Sequence, residues 1–106
     1  FTGTELDYCR SQRRPWPHLA ARFAAKEAAL KALGTGLAGA MTWRDVEVVR
    51  DEAGTPALAV SGATAARMAA GGLRPGALSL AHAGDQAIAV VLLFPREPGP
   101  PAREPA

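Results

Sequence analysis

A chain of 106 residues has room for one hydrophobic core, not two. Its 48% hydrophobic and 21% charged content is that of a globular domain, and only 6% aromatics leaves Ala, Val and Leu to fill the core. The net charge of +2 is concentrated in residues 1–31, where Arg10, Arg13, Arg14, Arg22, Lys26 and Lys31 outnumber Glu5, Asp7 and Glu27; that suits an acidic partner and is too weak for a nucleic-acid binder.

One cysteine excludes an internal disulfide framework and points to a reducing, cytoplasmic setting. No apolar run approaches the roughly 20 residues of a membrane span, and no apolar leader precedes the first charges. Phe1 is neither an initiator Met nor a small residue left by its removal, so the chain is expected to be part of a longer one or to have a misassigned start.

Residues 1–10 predict a helical turn. Thr2 and Glu5 have capping-box spacing, and Phe1 and Leu6 stand at hydrophobic-staple positions. A turn over 11–17 follows. Residues 18–33 are the clearest helix, rich in Ala, Leu, Lys, Glu and Arg, with Pro17 to start it and Gly34 to stop it. Leu19, Phe23, Leu30 and Leu33 form one apolar stripe, the other faces are mostly Ala, and the helix is expected to be central. A Gly-rich loop spans 34–42. Trp43 to Arg50 and Pro56 to Val60 predict a hairpin turning at Asp51–Gly54. Gly62 to Ala70 predicts a short helix, and Ala77 to His82 with Ala87 to Phe94 a second hairpin. The sum is an α+β domain over 1–94, a central helix packed on a small antiparallel sheet. Residues 95–106 hold five of the nine prolines and predict a disordered tail.

Lys26 falls near the middle of the apolar stripe, with Glu27 beside it and Lys31 one turn beyond Glu27. One reading is an exposed Glu27–Lys31 pair with Lys26 snorkelling past the stripe. The other is a phosphate site: a carboxylate for a hard divalent cation, two ammonium groups for phosphate oxygens, and a loop at Gly34 and Gly36 that lets backbone approach a ligand.

Several segments occur in a telling order: Phe1-Thr2-x-x-Glu5-x-x-Tyr8-Cys9, Arg22-Phe23-Ala24-Ala25-Lys26-Glu27-Ala28, Lys31-Ala32-Leu33-Gly34-Thr35-Gly36, Trp43-Arg44-Asp45-Val46-Glu47-Val48, Gly54-x-Pro56, Ser79-Leu80-Ala81-His82 and Ala87-x-Ala89-Val90-Val91. Together they closely resemble the holo-acyl-carrier-protein synthase family, small bacterial 4′-phosphopantetheinyl transferases of fatty acid and lipid metabolism. The resemblance implies transfer of the 4′-phosphopantetheine arm of coenzyme A to a serine of apo acyl carrier protein, releasing adenosine 3′,5′-bisphosphate. It implies Mg²⁺, and a cytoplasmic homotrimer with sites at subunit boundaries. Glu27 maps to the metal ligand, and Lys31 and His82 to catalytic positions. Lys26, Lys31, Gly34, Gly36, Pro56 and His82 map to coenzyme A binding. Arg10, Arg13 and Arg14 are expected to meet the acidic face of the carrier, whether a fatty-acid or a polyketide one.

Three departures stand out. The family's second metal carboxylate, an Asp in a Gly-x-Asp segment on its first strand, has no counterpart after Phe1, so this chain alone is expected to turn over slowly or not at all. Ala81 replaces a hydroxyl residue beside His82, and Thr55 stands where a basic residue is common. The alternative is a non-catalytic carrier-binding or oligomerising module of the same fold.

Overall fold

The computed structural model describes residues 1–96 of the chain. Helix α1, Gly3–Arg10, starts at the expected capping box: the Glu5 N–H donates to the Thr2 hydroxyl at 3.2 Å, and the Thr2 N–H donates to the Glu5 carboxylate at 2.9 Å. Helix α2 runs Pro15–Leu33. It begins inside the expected turn, because a proline costs nothing at a helix start, where its missing N–H would be unpaired anyway. Gly34 ends it in the left-handed region, with φ at 87°.

The strand expected from Trp43 opens instead with a 3₁₀ turn, Trp43–Asp45. Asp45 holds that turn, accepting from the Thr42 N–H at 3.2 Å and its hydroxyl at 3.1 Å. It also accepts from the Thr64 hydroxyl at 2.8 Å and the Thr64 N–H at 3.3 Å. Strands β1, Val46–Arg50, and β2, Pro56–Val60, form the first hairpin. Helix α3, Gly62–Ala70, follows, and β3, Leu73–Ala83, and β4, Gln86–Pro95, form the second, longer than the sequence suggested. The expected tail boundary at 95 lies at the end of β4, and residues 97–106 lie outside the described part.

The α+β architecture stands, but the sheet is two two-stranded antiparallel hairpins, not one ladder. The seam between β2 and β3 is a cavity of about 410 Å³, and both strands bring a proline to it, Pro56 and Pro75. Proline has no N–H to give a ladder, so each strand lacks one donor there. A bulge follows Pro75, where the Phe94 ring lies on Gly76 and leaves no space for a Cβ.

Helix α2 is central, touching α1, β1, β3 and β4. Its buried stripe is not the expected one: Ala21, Arg22, Ala25, Lys26, Ala29 and Leu30 are buried, whereas Phe23 is 43% exposed. Alanines let the helix approach its neighbours closely, and that closeness fixes which side faces in. Ala29 and Leu30 join Met41 and Val46 in the core, backed by Leu33, Leu58 and Val91. On β4, Ala87, Ala89, Val91 and Leu93 lean inward, while Ile88, Val90, Leu92 and Phe94 stand exposed. No helix among the described residues is long and apolar enough to cross a membrane.

Candidate functional site

The nominated residues divide among three places. Lys26 is in the core, 1% exposed, with its ammonium 2.8 Å from the Glu5 carboxylate. It also donates to the carbonyls of Trp43, at 3.0 Å, and of Val46. An ammonium has three N–H bonds, and all three are used. The expectation that Lys26 binds coenzyme A, or snorkels outward, is therefore corrected: it is a structural cation that ties α2 to α1 and β1. Glu5 also accepts from the Val48 N–H at 2.8 Å. Burial alone would raise the Glu5 carboxyl, but Lys26 and the N–H groups of Val48 and Thr2 outweigh it and hold the group below the usual carboxylate range.

One turn earlier on the same stripe, Arg22 is 3% exposed and differently served. One terminal nitrogen donates to the His18 carbonyl at 3.2 Å, while its Nε is buried with no hydrogen-bond partner among the described residues. Its guanidinium lies 4.4 Å from the centre of the Tyr8 ring. The Arg50 guanidinium lies 4.6 Å from the same ring and donates to the Tyr8 hydroxyl at 2.6 Å and to the Gly54 carbonyl. The His18 ring meets Tyr8 at 5.8 Å and His82 at 5.3 Å, both edge to face. His18, Arg22, Arg50, Pro56, Leu80 and His82 line a cavity of about 200 Å³. Two guanidiniums around partly apolar walls make a focused positive potential, and two imidazoles add hydrogen-bonding nitrogens, the chemistry of an anion seat. Burial, then His82, Arg22 and Arg50, push the His18 imidazole below its ordinary range.

Five elements build this seat, α1, α2, β1, β2 and β3. Of the nominated residues it gathers His82 and Pro56. Sequence reasoning missed His18 and Arg50. Arg22 was visible inside the Arg-Phe-Ala-Ala-Lys-Glu-Ala segment, but its position in the family words carried no hint of an unpaired nitrogen.

Glu27 and Lys31 lie elsewhere. Glu27 is half-buried beside Phe1, Trp16, Leu19, Phe23 and Ala87 on a largely apolar cavity of about 340 Å³. It follows Arg22 by five residues, which sets the two about 140° apart around the helix. Lys31 is exposed one turn on, before Gly34 and Gly36, both with positive φ. Arg10, Arg13 and Arg14 are exposed where α1 passes to α2. No cluster of three or more His, Cys, Asp or Glu suited to a metal occurs among the described residues.

The sequence profile of the 4′-phosphopantetheinyl transferase superfamily matches residues 1–91. The chain belongs to that superfamily. Among curated transferases of the group, the holo-[acyl-carrier-protein] synthase of Geotalea daltonii is 45% identical over 93 residues, covering 88% of this chain and 74% of the relative. That of Desulforudis audaxviator is 47% identical over 92 residues, covering 87% and 70%. The structures agree. The Neisseria meningitidis holo-[acyl-carrier-protein] synthase superposes with a TM-score of 0.78 at 33% identity, covering 89% of this chain and 75% of that one. The ACPS–CoA complex of Chronobacterium ammoniagenes gives 0.76 at 32%, covering 92% and 79%. The expected family and fold are thereby established, and the family is one of enzymes.

Proposed function

We propose that this protein moves the 4′-phosphopantetheine arm of coenzyme A to a serine of an apo acyl carrier protein. The serine oxygen bonds to the phosphorus that carries pantetheine, the bridging P–O bond breaks, adenosine 3′,5′-bisphosphate leaves, and the serine proton passes to a base. The observation that carries this reading is the seat of His18, Arg22, Arg50 and His82, with a buried Arg22 nitrogen still lacking a partner. A ligand rich in phosphate suits a cavity lined by two guanidiniums and two imidazoles. Pro56 gives the seat an apolar wall.

Glu27 and Lys31 act on the transferring group. Glu27 is a single carboxylate, and a small hard cation is commonly held by one or two carboxylates together with substrate phosphates. Glu27 can serve as one such carboxylate toward Mg²⁺ shared with coenzyme A. When bound, the ion would neutralise pyrophosphate charge. Lys31 adds a mobile positive charge beside it, and Gly34 and Gly36 keep the adjoining loop free of side-chain bulk.

A homotrimer with sites at its subunit boundaries accounts for two further features. The seat and Glu27 lie on different sides of α2, so one copy would offer its seat while a neighbour offers Glu27 and Lys31. The exposed apolar face of β4, Ile88, Val90, Leu92 and Phe94, is the kind of surface a second copy covers. Arg10, Arg13 and Arg14 would steer the acidic carrier. The setting is the cytoplasm, and the domain is the span 1–94.

The test is the mass of apo carrier protein incubated with the protein, coenzyme A and Mg²⁺. With the family's Gly-x-Asp strand preceding the chain, the expected result is a carrier heavier by one phosphopantetheine, and Glu27→Gln should keep the fold and lose most of the rate, because an amide oxygen ligates a hard cation poorly; residues 1–106 alone should give little or no mass gain. Carrier binding without mass gain from the extended protein would favour a non-catalytic module instead.

A further inference from the structure

His18 stands outside every segment that carries the family resemblance, yet it faces the same cavity as His82, with ring centres 5.3 Å apart. The charged and titratable groups around it come from every wall: Tyr8 of α1, Arg22 of α2, Arg50 of β1 and His82 of β3. None of these is a carboxylate, and β2 contributes only Pro56. An imidazole so placed is costly to protonate while the cavity holds no anion, and favourable to protonate once one enters.

We propose that His18 is a second phosphate-binding histidine of the coenzyme A site, taking up a proton as the ligand's phosphate enters and making affinity depend on pH. The inference rests on the proposed coenzyme A reading and adds to it a residue and a linkage.

The sign follows from the surroundings. In the free protein, burial and the neighbouring His82, Arg22 and Arg50 hold His18 below its ordinary range. A phosphate beside it raises it. Below the free-state value His18 is charged with or without ligand, and affinity is at its maximum. Affinity then declines as pH rises to the bound-state value, with up to one proton taken up per ligand across the interval. The phosphate's own second ionisation, near about 6, is common to wild type and variant and cancels between them.

The experiment is calorimetric titration of coenzyme A at about pH 6 and about pH 8, the interval in which histidine charge changes, in buffers of different ionisation enthalpy so that protons are counted. Wild type, His18→Gln and His18→Lys are compared, with urea unfolding to confirm equal stability. Wild type should gain roughly tenfold over His18→Gln on going to the lower pH, the scale of one charge-assisted hydrogen bond. It should also take up more protons than the variant. His18→Lys should show only the pH change that His18→Gln shows, without that extra uptake. Repeating the series with 3′-dephospho-coenzyme A separates the two phosphate sources: lost linkage assigns the ribose phosphate, retained linkage the pyrophosphate. If His18→Gln matches wild type in pH profile and proton count while both bind coenzyme A, the inference is overturned and the site stands. If wild type binds no coenzyme A at either pH, the site reading falls and the inference with it.

Discussion

Lys26 and Arg22 sit one helical turn apart on the buried stripe of α2, and both are cations almost out of reach of water. Around Lys26 every N–H has a partner, and the nearest carboxylate, Glu5, is itself bonded to two backbone N–H groups. Around Arg22 the partners are an aromatic face, one carbonyl, a second arginine and two histidines, and one nitrogen stays unpaired. Burial alone does not tell a structural cation from a binding one. The account of hydrogen-bond partners does: the satisfied cation belongs to the fold, and the unsatisfied one faces a cavity.

The sharpest way to break this contrast is Lys26→Met. Removing one member of a buried pair leaves Glu5 as an uncompensated charge, so unfolding free energy should drop by about 3–5 kcal/mol in urea titrations. Glu5→Gln together with Lys26→Met should recover part of that loss, because no lone charge remains. A single variant as stable as wild type would mean the pair contributes nothing.

Arg22→Gln should do the reverse. Its stability should stay within about 1 kcal/mol of wild type, the scale of a lost cation–π contact. Coenzyme A should bind about tenfold or more weakly, the worth of a charged hydrogen bond. Destabilisation equal to that of Lys26→Met, with binding intact, would erase the distinction.

The smallest effect belongs to cations on the surface. Replacing Arg10, Arg13 and Arg14 by Ala should raise KM for the carrier roughly threefold at low salt, since exposed charges act on encounter and are screened. Coenzyme A affinity should not move. If it falls instead, these arginines belong to the nucleotide site.

Much of the fold was legible in the sequence because its signals are local. Thr2 and Glu5 announce α1, Gly34 ends α2, and the turns at Asp51–Gly54 and Ala83–Gln86 separate paired strands. The stripe on α2 was misread for a physical reason. The buried face is mostly alanine, whose weak hydrophobic signal was outvoted by Phe23 and Leu19 on a side that is only half covered. That error rotated the helix by most of a right angle, and Lys26, which lies in both stripes, was read as snorkelling because its partner Glu5 on α1 was not foreseen. Glu27, Lys31 and His82 could be nominated because they occur within short words of the family. His18 and Arg50 could not. They stand 32 residues apart in the chain and meet only when α2 packs against β1.

The unzipped seam between β2 and β3 has a mechanical consequence. Pro56 and Arg50 approach the anion seat from the first hairpin, Leu80 and His82 from the second. Among the described residues no backbone hydrogen bond joins those two strands. A slight spreading of the hairpins therefore stretches only side-chain packing, which yields gradually, where a ladder would resist and then snap. The walls of the seat are thus hung on a compliant joint, while Arg22, at its back, is fixed to the stiff rod of α2. Such a vessel can change its width while keeping one of its charges in place.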